Sequence, residues 1–98
     1  MQFEWDENKR QRNIEKHGID FADAVKIFDG FISSQEDLRA NYGEKRYVTI
    51  GLLHNIEIAV IHTPRGEKTR IISVRRARIK ERQRYYQDKE SNSNNNGN

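Results

Sequence analysis

The side chains best suited to chemistry crowd into one stretch, Arg65 to Tyr86, where nine Lys and Arg accompany only two carboxylates, Glu67 and Glu81. Guanidinium stays charged and grips phosphate oxygens in a two-pronged fork, while clustered cations displace the counterions condensed on a polyanion. Arg75 and Arg76 sit where an apolar strand (Ile71, Ile72, Val74) runs into a basic helical segment, and are the first candidates for phosphate contacts. Arg65 from the preceding turn and Arg82 one or two turns later join them. His62 closes the strand before the Arg65 turn, and an imidazole there can titrate near neutral pH and transfer protons. The plainer reading of each is a solvated arginine face and a histidine held in the sheet.

These residues need a scaffold, and the composition allows a small one. The 98 residues suit one domain over 1–90 followed by an unstructured polar tail over 91–98, SNSNNNGN. Hydrophobic residues make up 34% and mean hydropathy is −1.06, so the core must be economical. The net charge of +3 and the isoelectric point near 9.3 favour an anionic partner, either nucleic acid or an acidic protein. With no cysteine, disulfides, thiol nucleophiles and thiolate metal sites are ruled out, which fits a reducing cytoplasm. The first ten residues have no apolar run, and no stretch approaches the roughly 18 apolar residues of a membrane span.

The patterning predicts an α+β domain with two N-terminal helices, a mainly antiparallel three- to four-stranded sheet and a C-terminal basic helix. Phe3 and Trp5 alternate like a short strand, and Asp6 can cap a helix from Glu7 to His17 that Gly18 ends. That helix is almost wholly polar, with Ile14 its only aliphatic residue. Asp20 can cap a second helix whose core face is Phe21, Ala24, Val25 and Phe28. Phe31 and Ile32 suggest an edge strand, and Gln35 to Glu44 a polar loop. Tyr47–Leu53, Ile56–Thr63 and Lys68–Arg75 then read as a three-stranded meander, with turns at His54-Asn55 and Pro64-Arg65-Gly66-Glu67. Apolar residues at both parities of the central strand imply cover on both faces. The last helix, from about Arg76, places Ile79 and Tyr86 on a narrow apolar stripe.

Several motifs in order carry a family resemblance: Phe3-Glu4-Trp5-Asp6, Lys16-His17-Gly18-Ile19, Phe28-Asp29, Glu44-x-Arg46-Tyr47 with Ile50-Gly51, His62-Thr63-x-Arg65-Gly66, Arg70-Ile71-Ile72-Ser73, Arg75-x-Ala77 and Glu81-Arg82-x-x-Tyr85. Together, from Phe3 to about Tyr86, the chain resembles the BrnT-type toxins, also called DUF497. The resemblance implies a cytoplasmic ribonuclease toxin of a type II toxin–antitoxin pair with a RelE-like fold. It also implies a BrnA-like antitoxin whose ribbon-helix-helix part contacts operator DNA; separately, no cofactor and no membrane association are expected. Where the family often has Ser-Ala-Arg, this chain has Ser73-Val74-Arg75, a larger residue at a buried parity.

Metal-independent RNA cleavage needs a base for the 2′-OH, an acid for the 5′-oxygen and cations for the phosphoryl oxygens. For catalysis the candidates are His62, Glu44, Arg75 and Arg76. For substrate binding they are Arg65, Arg82, Lys16, His17 and Tyr85. Glu44 can act as a base, orient Arg46 or simply face water. His17 at a helix C-terminus can be a cap, and Lys16 beside it a phosphate contact. Tyr85 can stack a base or pack on the sheet, and Trp5 is read as a core anchor. His17, His54 and His62 show no metal-ligand spacing. Two rival readings use the same basic helix: a nucleic-acid-binding module without catalysis, and a protein-interaction domain that docks an acidic partner.

Overall fold

The computed structural model describes residues 1–96, with side chains through Asn92. Phe3 and Trp5 point to one side of strand β1 (Gln2–Trp5), after which Asp6 accepts from the Lys9 amide at 3.0 Å and starts helix α1 (Glu7–His17). Gly18, at φ +72°, ends it in the left-handed conformation that a Cβ disfavours. Asp20 accepts from the Ala22 amide at 2.9 Å and opens helix α2 (Phe21–Ala24).

Helix α2 is a single turn, because the chain tightens into a 3-10 segment over Val25–Asp29. Three residues per turn bring positions three apart onto one side, so Phe21, Ala24 and Ile27 are the buried residues. The expected i, i+3, i+4, i+7 face meets the core, with Phe21 and Ala24 buried and Val25 and Phe28 half-buried against it, and Ile27 is the addition that the 3-10 segment brings. The edge strand also lies later than expected. Strand β2 is Ser33–Glu36 rather than Phe31-Ile32.

Strands β3 (Tyr47–Leu53), β4 (Ile56–Arg65) and β5 (Lys68–Arg76) form the expected meander. His54 and Asn55 both take positive φ (50° and 65°), the conformation of a two-residue hairpin that matches strand twist. The sheet itself differs from the expectation. It has five strands in the order β1-β5-β4-β3-β2, and β1 pairs with β5 in parallel, so it is mixed. The short strand expected at Phe3 and Trp5 is present as β1, and the second N-terminal helix is only a turn of α followed by 3-10. The α+β class holds.

Both faces of the sheet are covered. On one, Ile58, Val60, Ile71 and Val74 pack against Phe21, Ala24 and Ile27, with Phe3, Trp5 and Phe28 around them. Gly51 lies under Ile27: a Cβ there would come within 2.7 Å of the Ile27 Cβ. On the other face, Ile50 and Ala59 meet Ala77 and Tyr85 of the C-terminal segment. Val74 is fully buried, at the position where the resemblance marks a larger residue than usual.

Helix α1 has few apolar residues to hold it, and a polar one substitutes. The buried Asn13 accepts from the Val74 amide at 3.0 Å and donates to the Ile19 carbonyl at 2.9 Å. It thereby satisfies the β5 edge just past the end of β1, whose last partner pair is Trp5 with Ile71.

Helix α3 (Ile79–Asn96) starts three residues later than expected, and its anchor is Tyr85. Tyr85 is 2% exposed, whereas Ile79 and Tyr86 of the expected apolar stripe are 64% and 46% exposed. The side of α3 that meets the sheet is Glu81, Arg84, Tyr85 and Asp88, at i, i+3, i+4, i+7, so its stripe is mostly charged. Asp88 accepts from the Ser33 hydroxyl and from Arg84 Nε (3.0 Å). The expected polar tail, 91–98, overlaps the end of this helix, and its last two residues lie outside those described.

Candidate functional site

The second face of the sheet is only half covered by α3, and a groove of about 400 Å³ remains beside it. Val48 and Ile50 of β3 form an apolar floor. Five cations line the groove: Arg39 from the loop after β2, Arg75 from β5, Arg78 just before α3, and Lys80 and Arg84 from its first two turns. Asp37 and Glu81 supply carboxylates, Glu36 closes the end of β2, and Leu38, 79% exposed, forms part of the rim.

Two of these arginines are held in fixed orientations. Arg75 Nη1 and Nη2 bond Glu81 Oε1 and Oε2 at 2.8 and 2.9 Å, with both side chains largely shielded from solvent. Arg39 Nε and Nη2 bond Asp37 Oδ1 and Oδ2, each at 2.9 Å. The Asp37 side chain is buried, and its bonds to Arg39, opposed by burial and helped by the Tyr42 hydroxyl, hold its carboxyl well below the usual range. For Glu81, burial pushes the pKa up, but the bonds from Arg75 and the Arg78 amide outweigh it and the net shift is downward. Such paired guanidiniums keep outward N–H groups pre-aimed at an anion. Among the described residues Arg78 and Lys80 have no carboxylate partner, so their charge is open to a ligand.

The residues singled out from sequence are brought together only in part. Arg75 lines the groove, while Arg76 is exposed one position further along β5 and does not. Arg82 is half-buried on α3 and outside the lining. Arg65 is not beside the corner. It pairs with Lys68 at the hairpin end, and Arg75 pairs with Ala59 seven residues along β5, about 23 Å away at strand rise. The antiparallel direction of β4 and β5 separates residues that sequence order seemed to unite.

His62 faces the other way. It stands at the β4 bulge on the N-terminal-helix side of the sheet, in edge contact with Phe28 (5.3 Å between ring centres) and stacked on Tyr47 (5.9 Å). Its Nε2 meets the buried Thr49 hydroxyl at 2.7 Å, and Thr49 meets Ser34 at 2.5 Å. Burial lowers its pKa to about 4, so it is a neutral imidazole at pH 7 and does not titrate near neutrality as expected. Glu44 is exposed and bonded to Arg46 at 3.0 Å, away from the groove lining. Lys16 and His17 are exposed in the last turn of α1. Tyr85 is a core residue whose hydroxyl donates to the Phe31 carbonyl at 3.4 Å, so its ring is not open for base stacking. Trp5 packs edge-on to Phe21 at 6.2 Å, as an anchor should.

Of the five groove cations sequence reasoning named only Arg75 as a site residue; it missed Arg39, Arg78, Lys80 and Arg84, the carboxylates of Asp37 and Glu81, and the floor. A signal was present in the Asp-x-Arg pair of an otherwise polar loop, where a carboxylate two residues before an arginine can clamp it. Among the described residues no three His, Asp or Glu side chains gather as a metal-binding group, and no helix is long and apolar enough to cross a membrane.

A cation-lined groove on one face of a small α+β domain suits a phosphate-bearing polymer. Residues 5–81 match the family described as "Ribonuclease toxin, BrnT, of type II toxin-antitoxin system", and the chain belongs to that family. RNA as substrate and an antitoxin as partner come with that membership. No individual curated protein matches the chain.

Proposed function

We propose that the chain is a metal-independent endoribonuclease that cleaves RNA by attack of a 2′-OH on the adjacent phosphodiester, with the groove beside α3 as its site. The products are a 2′,3′-cyclic phosphate and a 5′-hydroxyl. The observation that carries this reading is the convergence of five cations on an apolar floor in a chain of the ribonuclease-toxin family. An RNA strand needs both parts, cations for phosphate and a greasy surface for the nucleoside. Arg78 and Lys80 take the phosphate, and the clamped Arg75 and Arg39 meet the charge that builds on its oxygens. Glu36 pairs with Tyr47, which stacks on His62, so strand parity directs its carboxylate to the opposite face and it is not placed to accept the 2′-OH proton. Neither His62 nor Glu44 shares the groove, so both drop out of that role. Arg76, Arg82, Arg65, Lys16 and His17 serve RNA that runs outside the groove.

The neutralising partner in this reading is a BrnA-like ribbon-helix-helix antitoxin, which alone contacts operator DNA, and the pair acts in the cytoplasm on a RelE-like scaffold. The antitoxin covers the groove, so the complex does not cleave RNA.

The test is incubation of purified protein with RNA in EDTA, alongside an Arg78→Ala/Lys80→Ala double variant. Wild type should cleave and leave cyclic phosphate ends, and the variant should be slower by about 100-fold or more. Loss of cleavage in EDTA overturns the metal-independent mechanism. Binding without cleavage by the wild type overturns the enzyme reading in favour of a binding module.

A further inference from the structure

One carboxylate in the groove makes three hydrogen bonds and joins two elements. Glu81 Oε1 accepts from Arg75 Nη1 at 2.8 Å and from the Arg78 backbone amide at 2.7 Å, and Oε2 accepts from Arg75 Nη2 at 2.9 Å. Arg75 belongs to the end of β5, and Arg78 immediately precedes the first residue of α3. Glu81 is the third residue of α3, so its bond back to the Arg78 amide is the reciprocal half of a capping box.

We infer that Glu81 is a positioning residue for RNA cleavage, acting through Arg75 and through the first turn of α3. The inference rests on the groove being the RNA site. Glu81 uses both Nη groups of Arg75, which leaves Nε–H and an outer Nη2 proton directed away from the carboxylate. By fixing the Arg78 amide it also sets the direction in which Arg78 and Lys80 leave the helix, on either side of the exposed Ile79. Three of the five groove cations thus take their orientation from one side chain. The small apolar contact of α3 and the link before it with the sheet, chiefly Tyr85 and Ala77, would not set those directions alone.

Positioning and electrostatics make opposite forecasts for Glu81→Gln. The substitution removes a negative charge from a site for a polyanion, so electrostatics alone strengthens RNA binding and leaves the rate intact. Loss of orientation instead lowers kcat while KM holds or falls, because the cations remain but no longer meet the transition state in register.

The experiment measures kcat and KM for RNA cleavage in the wild type, Glu81→Gln, Glu81→Asp, Arg75→Ala and the Arg75→Ala/Glu81→Gln pair. Asn13→Ala, which loses buried hydrogen bonds on the opposite edge of β5, serves as a stability control, and all are assayed below their melting temperatures. Glu81→Gln should lose about 10- to 100-fold in kcat without a rise in KM, less than deletion of a direct donor costs. Glu81→Asp should recover part of that loss, and Asn13→Ala should keep the wild-type kcat despite its lower melting temperature. In the Arg75→Ala background Glu81→Gln should cost much less than it does alone. A wild-type kcat in Glu81→Gln, or the same loss with and without Arg75, overturns the inference. Wild-type rates in the Arg78→Ala/Lys80→Ala variant instead overturn the groove itself as the site.

Discussion

His62 should make the fold sensitive to mild acid, and the effect can be worked from its surroundings. The imidazole lies between Phe28 and Tyr47 with Thr49 as its polar partner, and burial lowers its pKa from 6.5 to about 4. The folded state therefore holds it neutral, while the unfolded chain takes up its proton below about 6.5. Because the folded pKa is the lower one, stability is complete at neutral pH and falls as pH drops from about 6.5 towards about 4. That gap corresponds to a ceiling of about 3 kcal/mol, and partial solvent contact brings the expected loss between pH 7 and 4.5 nearer 2 kcal/mol. For a domain of this size that is a fall in melting temperature of roughly 10 °C. Thermal melts of wild type and His62→Gln across this range supply the assay, since glutamine can still meet the Thr49 hydroxyl but does not titrate. The carboxylates with lowered pKa, Glu81 and Asp88 among them, lose their contribution at lower pH and in both proteins alike. The wild-type curve should fall more steeply and the variant should flatten. Parallel curves would show that the imidazole is not held neutral by burial, and the reasoning would fail. RNA cleavage by folded His62→Gln should match wild type at pH 7, since the ring and the groove lie on opposite faces.

Two packing predictions follow from the same sheet. Gly51→Ala forces a methyl to within 2.7 Å of the Ile27 Cβ, so the 3-10 segment must shift, at a cost of about 1–3 kcal/mol read as a lower denaturation midpoint. An unchanged midpoint would mean that Ile27 moves aside freely. Tyr85→Phe keeps the buried ring and loses only a long bond to the Phe31 carbonyl, so it should cost under about 1 kcal/mol and leave RNA cleavage intact. A large loss of cleavage with a normal melt would return the Tyr85 hydroxyl to the site.

Much of this protein is legible from local residue chemistry. Asp6, Gly18 and Asp20 mark helix ends because capping depends only on neighbours in the chain. The meander is readable from alternation and from turn residues that tolerate positive φ, and the basic stretch needs nothing but charge. The ordered motifs carried the family, which the match over residues 5–81 shows. What local pattern could not convey is which residues meet. Antiparallel pairing sent Arg65 to the far end of β5 from Arg75, and strand parity put His62 on the face opposite the groove. Helix α3 meets the sheet through a charged stripe, so hydrophobic periodicity pointed to Ile79 and Tyr86 when Tyr85 was the anchor. The groove is assembled from β2, the loop after it, β3, β5 and α3, elements up to about 50 residues apart in sequence. Its cations become a site only because backbone pairing fixes those elements side by side, and pairing over such separations is a property of the whole fold.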